Sequence, residues 1–130
     1  MAAPYLSTWN PAAIIAAHTA LLGLIDGGAG VGYIDIFDSS DTLLAHIDLD
    51  TPGGTVNGTT GALTLALDGR EDSAPASGTA SYATIFDGDD TAYRSLPCQA
   101  GAFAVAGACV INTLSIVAGG PVEIISAVIE

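Results

Sequence analysis

Two acidic turns hold the side chains of this chain that are best suited to chemistry. They contain Asp38 and Asp41 in the first turn, and Asp87, Asp89 and Asp90 in the second. Carboxylate oxygens are the ligands that calcium prefers, but no glycine at the sixth loop position precedes a glutamate at the twelfth, as an EF-hand requires. Aspartates are also common turn residues that bind their own backbone. A calcium site and a purely structural turn therefore both stay open.

Two histidines are the candidate bases and metal ligands. His18 lies on or beside the apolar stripe of a predicted helix, and His46 alternates with apolar residues of a predicted strand. A lone histidine in either place is more often a packed or surface residue than a ligand or a base. No serine stands in a Gly-x-Ser-x-Gly elbow, and no Ser, His, Asp order stands out. Paired carboxylates for glycoside hydrolysis are available, but a sugar-cleaving cleft normally carries several aromatic residues and the chain has only eight.

We therefore predict a protein that is not an enzyme, and we assign no catalytic, cofactor-binding or metal-binding residues. The glycine-rich segments 27–30 and 53–54 lack the lysine and the strand–helix context of a phosphate loop. Asn57-Gly58-Thr59 matches a glycosylation sequon, but without a secretion signal we interpret it as a hairpin turn.

Two cysteines, Cys98 and Cys109, flank the small-residue segment 99–108. They cannot form a zinc site without histidine partners, and both histidines are far away in the sequence. A disulfide that closes the intervening loop is geometrically possible. Two reduced, partly buried thiols are the alternative if the protein matures in a cytosol.

A repeat organises the middle of the chain. Residues Tyr33–Thr42 recur as residues Tyr82–Thr91, with Tyr, Ile, Phe, Asp, Asp and Thr at the same six offsets. Each copy runs from an apolar, β-prone stretch into an acidic turn and out again. The repeat predicts two β-hairpins of the same kind.

The other elements follow from local signals. Asn10-Pro11 favours a helix start, and the apolar periodicity predicts one helix over about residues 11–26, stopped by Gly27-Gly28. Strands are predicted over 33–37, 42–49, 62–67, 110–117 and 122–129, and loops over 50–54 and 68–77. We expect a mainly β, antiparallel β-sandwich or jelly-roll-like barrel with that single N-terminal helix. The chain forms one domain over 1–130, with an N-terminal arm and helix at 1–28 and the sandwich at 32–130.

Charge restricts the partners. The chain has 14 acidic residues against two arginines, Arg70 and Arg94, and a formal charge of −12. Such a charge repels phosphate backbones and anionic membranes, so we expect no nucleic-acid or membrane partner. No apolar run approaches the ~20 residues that cross a bilayer, and no basic region precedes the helix as in a signal peptide. We expect a soluble protein that is not exported by a cleaved signal.

The C-terminal half resembles small virion proteins of tailed phages. Residues 112–129, with Gly119-Gly120-Pro121-Val122 before a final alternating strand, are similar to their Asn-Ser-Thr-Ile and Gly-Gln-Pro-Val pattern. Residues 76–85 resemble the small-residue strand that leads into an Asp-Gly turn in that family. The N-terminal helix departs from the family pattern, and no functional residues are carried over because the family has no catalytic motif.

The resemblance implies a capsid cement (decoration) protein. Several such proteins bind the outer surface of the head shell and clamp neighbouring major capsid protein subunits. The expected state is a homo-oligomer, a dimer or trimer, made in the bacterial host cytoplasm and located on the capsid exterior of the virion.

Two other functions remain open. A carbohydrate- or host-surface-binding module would gather the aromatic residues on one open face; these are Tyr5, Trp9, Tyr33, Tyr82 and Tyr93. A small hydrolase would need a concave pocket in which a serine or aspartate converges with His18 or His46.

Overall fold

The computed structural model describes residues 9–130, so most of the predicted N-terminal arm lies outside the described residues. It contains one helix, α1 (Pro11–Asp26), and nine strands. The strands are β1 (Tyr33–Phe37), β2 (Leu43–Val56), β3 (Leu63–Leu67), β4 (Gly78–Thr79), β5 (Tyr82–Phe86), β6 (Ala92–Ala100), β7 (Cys109–Ile111), β8 (Ser115–Ile116) and β9 (Ile124–Ile129). The predicted mainly β fold with one N-terminal helix over about 11–26 is confirmed.

Helix α1 begins where its cap predicts. The Asn10 side chain accepts a hydrogen bond from the Ala12 N–H at 2.9 Å, and Pro11 occupies the first helical position, where its missing N–H costs nothing. The helix stops at Gly27 as predicted, and the φ of −84° shows that this glycine caps it in a right-handed conformation. Within residues 9–130, no helix is long and apolar enough to span a membrane.

Seven strands close into a barrel in the order β1-β2-β3-β9-β7-β6-β5. All neighbours pair antiparallel except β6 and β7, which run parallel. The remaining strands, β4 and β8, form a separate two-stranded sheet. Closure gives every barrel strand two hydrogen-bonded neighbours, so the barrel has no open sheet edge.

The two copies of the repeat are next to each other in this barrel. Strand β1 of the first copy pairs antiparallel with β5 of the second, so that Tyr33 lies opposite Phe86 and Phe37 opposite Tyr82. Each copy also has a register shift at the same place, between Ile36 and Phe37 in one and at the equivalent step in the other. The copies are therefore related by a local pseudo-two-fold axis, and the predicted doubled hairpin is confirmed.

The interior of the barrel is filled by aliphatic side chains. Its largest members are at most 1 % exposed; they include Ile34, Ile36, Leu44, Ile47, Leu49, Leu63, Ile85, Ile111 and Ile129. A small barrel has room only for the side chains that point inward. The inside of this barrel is therefore a packed core and not a ligand-binding lumen.

Two segments differ from the sequence-based expectation. Residues 50–54, expected to be a loop, belong to β2, which continues to Val56 through an irregular register between Leu49 and Gly54. Residues 110–117, expected to be one strand, divide into β7 in the barrel and β8 in the small sheet. Proline and glycine in the first case, and a segment rich in β-branched residues in the second, gave misleading local signals because pairing partners decided both outcomes.

Candidate functional site

The acidic turns are held by their own hydrogen bonds. Asp38 accepts from the N–H groups of Ser40 and Thr42, both at 2.9 Å. Asp87 accepts from the equivalent N–H groups of Asp89 at 2.9 Å and Thr91 at 3.0 Å. This is the bonding of a structural Asx turn.

The last aspartate of each turn bonds to the other copy of the repeat. Tyr33 donates its hydroxyl hydrogen to Asp90 at 2.6 Å, and Tyr82 donates to Asp41 at 2.6 Å. Both aspartates have left-handed backbones, with φ of 65° at Asp41 and 66° at Asp90. Burial, followed by the bond to Asp90, raises the pKa of Tyr33, and the bond to Asp41 raises the pKa of Tyr82. The acidic tips therefore connect the two hairpins reciprocally.

No metal centre assembles from these groups. Across residues 9–130, no three His, Cys, Asp or Glu side chains are grouped so that they could hold a metal ion. The turn carboxylates that calcium would need instead accept backbone and tyrosine hydrogens. The two acidic turns are better explained as architecture than as a cation site.

A polar row, which the sequence did not predict, crosses the outer face of four strands. The row runs through His46 on β2, Asp35 on β1, Thr84 on β5 and Ser95 on β6, each opposite the next in register. His46 Nδ1 lies 2.7 Å from Asp35 Oδ1, and the hydroxyls of Thr84 and Ser95 are 2.8 Å apart. The alternation of strand residues between two faces could have placed Asp35 and His46 on one side, but only the β1–β5 pairing adds the other two.

This row contains a serine, a histidine and an aspartate, but not in catalytic geometry. His46 has carboxylates at both ring nitrogens, because its Nε2 lies 3.1 Å from Asp48 Oδ1. Both ring nitrogens of His46 are therefore paired with aspartates, while the Ser95 hydroxyl is paired with Thr84. Burial raises the pKa of Asp35, and the hydrogen bond with His46 partly offsets that effect. The row acts as a cross-strand polar link.

Two aromatic pairs lie on the same outer face, on either side of the polar row. The rings of Tyr33 and Phe86 stack with centroids 4.9 Å apart, and those of Phe37 and Tyr82 with centroids 5.2 Å apart. The Tyr33 ring also contacts His46 at 4.5 Å. Four of the five aromatic rings in or near the repeat are therefore stacked in pairs. The fifth residue, Tyr93, donates its hydroxyl hydrogen to Asp87 at 2.8 Å.

The second histidine fastens helix α1 to the barrel. His18 is buried, and its Nδ1 donates to the carbonyl oxygen of Gly61 at 2.6 Å. Gly61 has a φ of +82°, and a side chain there would collide with Ile14 of the helix. His18 is thus a packed residue, and His18 and His46 do not come together.

A cleft of about 790 Å³ lies beside this helix. Its lining is Trp9, Ile14, Ala17, His18, Leu21, Thr60, Ala62, Arg94, Ala106 and Glu130. Trp9, which lines the cleft, is 68 % exposed and is not one of the stacked aromatic residues. Tyr5 lies outside the described residues. Among residues 9–130, no serine or aspartate lines the cleft beside His18, so the described residues do not form the arrangement required for the small hydrolase there.

Large apolar side chains are exposed at several points of the surface. Phe103 is 83 % exposed on the loop between β6 and β7, and Val117 is 66 % exposed just after β8. The others include Trp9, Leu24, Val31 and Val105.

Neither cysteine is in a disulfide: Cys98 is half-buried and Cys109 is buried.

No protein-family model matches the chain, and neither a curated protein nor a solved structure shows significant similarity to it.

Proposed function

We propose that this protein is a phage virion structural protein, and specifically a capsid cement (decoration) protein. It binds the outer surface of the major capsid protein shell as a homo-oligomer, a dimer or trimer, and stabilises the head. It is made in the bacterial host cytoplasm and resides on the capsid exterior.

The observation that carries this proposal is exposed apolar surface on an acidic protein with a filled core. Trp9, Phe103 and Val117 are each more than 60 % exposed, although the chain has a formal charge of −12. Such side chains gain most when another protein covers them. The candidate chemical groups, by contrast, are engaged in bonds that hold the barrel together. The resemblance of residues 76–85 and 112–129 to small phage virion proteins supports the same reading.

The proposed mechanism is mechanical. A closed barrel resists shear because each strand is bonded on both sides, so it can transmit load between the capsid subunits it touches. Added contacts oppose the expansion that internal DNA pressure drives. Each interface can be weak alone, because repeated engagement over a lattice makes the whole strong. Within this proposal, the barrel is a variant of the sandwich or jelly-roll architecture expected for such proteins.

The test is the position and copy number of the protein in virions. We expect it to co-purify with filled heads in a copy number comparable to that of the major capsid protein. Presence in tails only, or in far smaller amounts than the capsid subunit, would overturn the cement proposal. Solution mass, measured without capsid, determines whether the oligomer forms before binding.

A carbohydrate- or host-surface-binding module is the second proposal. One observation favours it: Tyr33, Phe37, Tyr82 and Phe86 share the outer face of β1 and β5. Sugars bind aromatic faces, and the pairwise stacking covers one face of each ring, so only the outer faces of the two pairs are available to a sugar. Titration with a panel of bacterial surface glycans tests it; saturable binding that Tyr82→Ala abolishes would favour this module over the cement protein.

A further inference from the structure

The two cysteines occupy directly opposed positions on neighbouring strands. Strands β6 and β7 run parallel, and Cys98 is the register partner of Cys109. Neighbouring strands are about 4.8 Å apart, which falls within the Cα separations of roughly 4.4–6.8 Å found in disulfides. The backbone therefore already places these residues at bridging distance, although neither is bonded to the other.

The thiols differ in a way that suits stepwise oxidation. Cys98 is half-buried and reachable, whereas Cys109 is fully buried. A hydrogen bond from the Cys109 thiol lowers the pKa of Cys98, and the same contact together with burial raises the pKa of Cys109. The accessible sulfur is thus the one more readily present as a thiolate, which is the nucleophilic form.

The segment between the cysteines is an exposed loop with an apolar tip. Residues 101–106 are all exposed, and the Phe103 side chain is 83 % exposed. Two backbone bonds hold the loop ends: Gly101 N–H donates to Ile111 O at 3.1 Å, and Gly107 N–H donates to Val128 O at 2.9 Å. The cysteine pair lies at the base of this loop.

We propose that Cys98 and Cys109 form a redox-active dithiol that closes into an intramolecular disulfide and so restrains the loop carrying Phe103. The oxidant is a low-molecular-weight disulfide of the glutathione type. The Cys98–Cys109 disulfide would form in the isolated protein, and the proposal does not depend on the capsid proposal.

The reaction proceeds by two thiol–disulfide exchanges. The Cys98 thiolate attacks one sulfur of the small disulfide, whose S–S bond breaks and releases one thiolate, leaving a mixed disulfide on Cys98. Cys109 then gives its proton to solvent and attacks the Cys98 sulfur, and the second small thiolate leaves. In total, the protein loses two thiol hydrogens and two electrons, and the small disulfide gains them as two thiols.

The test is equilibration of the purified full chain in buffers of reduced and oxidised glutathione. Thiol alkylation and intact mass then report the free cysteines. We expect both thiols to disappear together in monomeric protein, and a non-reduced digest to contain a peptide pair linked through Cys98 and Cys109. In the Cys98→Ser variant, Cys109 should remain free and react slowly. In Cys109→Ser, the mixed disulfide should persist on Cys98.

Three results would overturn the proposal. In the first, both thiols stay open to alkylation at every ratio of reduced to oxidised glutathione. In the second, glutathione stays bound to the unmutated protein as a mixed disulfide. In the third, disulfides form only between two protein molecules. A second readout concerns the loop itself. Limited chymotrypsin cleavage after Phe103 should be at least several-fold slower in the oxidised than in the reduced protein, and equal rates would contradict the restraint on the loop.

Discussion

At the scale of single residues, Asp87 is the most heavily used carboxylate of the repeat. It is buried, and it accepts hydrogens from the backbone of Asp89 and Thr91 and from the Tyr93 hydroxyl. Its counterpart Asp38 bonds only to backbone N–H groups. The backbone bond from Thr91, followed by the bond from Tyr93, lowers the pKa of Asp87 below its ordinary 3.8.

This shift predicts acid sensitivity. Because the folded-state pKa of Asp87 is depressed, its contribution to stability is fully present above the unfolded pKa of about 3.9 and is lost as pH falls through the folded pKa. The urea midpoint of the unmutated protein should therefore fall as the pH is lowered below about 4. Asp87→Asn should lower the midpoint at pH 7 and flatten this decline, since an amide does not titrate.

The control is Asp50→Asn, at an exposed aspartate of β2. It should leave both the midpoint at pH 7 and the acid slope close to those of the unmutated protein. If Asp87→Asn and Asp50→Asn give the same pH profile, the carboxylate of Asp87 is not a stabilising anion.

At the scale of elements, the segment between α1 and β1 packs closely on the second acidic turn. A Cβ added to Gly88 would collide with the backbone of Gly30, and one added to Gly28 would lie 2.6 Å from the Gly88 nitrogen. The Asp89 carboxylate also accepts a hydrogen bond from Ala29 N–H at 3.1 Å. The turn of the second hairpin thus anchors the connection from the helix to the first.

A matched pair of glycine variants tests this contact. Gly88→Ala should lower the free energy of unfolding by about 1–3 kcal/mol, because two backbones must separate to admit a methyl group. Gly30→Ala should change it by less than about 0.5 kcal/mol, since nothing lies within 4 Å of a Cβ at that position. Equal effects in urea unfolding of the two variants would show that the close approach is absent in solution.

At the scale of the whole molecule, the acidic groups and the exposed apolar side chains contribute differently to the fold. The acidic groups give the net charge of −12 and also tie the repeat together, whereas Phe103 and Trp9 contribute little to the core. Side chains that are so exposed contribute more to binding a partner than to folding. Under the capsid cement proposal, attachment to the shell should therefore depend most on the Phe103 loop.

We expect Phe103→Ser to change the free energy of unfolding by less than about 0.5 kcal/mol. The variant should bind expanded capsid shells at least roughly tenfold more weakly, the loss of an apolar anchor worth about 1.4 kcal/mol. Sedimentation with shells that lack this protein measures the binding. Gln99→Ser, an exposed polar change beside the loop, is the control, and equal binding of the two variants would exclude the Phe103 loop from the interface.

The same contrast of scale explains what could be predicted. Asn10, Pro11 and the apolar spacing after them gave α1 correctly, because capping and helical periodicity are local. The doubled hairpin was likewise evident from the residues around Asp38 and Asp87. The boundaries of β2 and the division between β7 and β8 were not, because a strand continues where a neighbour pairs with it. The polar row from His46 to Ser95 was also missed, since it crosses four strands.

The amino-acid sequence by itself determined the helix, the two acidic hairpins and the acidic character of the surface, all of which depend on neighbours a few residues away. Only the tertiary structure decided that β1 pairs with β5 and that β6 pairs in parallel with β7, closing the barrel. The β1–β5 pairing joins residues far apart in the chain, whereas β6 and β7 are joined by a single loop; burial of the shared aliphatic core stabilises both pairings. The pairings also put Tyr33 against Asp90, a contact that no local pattern encodes, and they make Cys98 and Cys109 register partners.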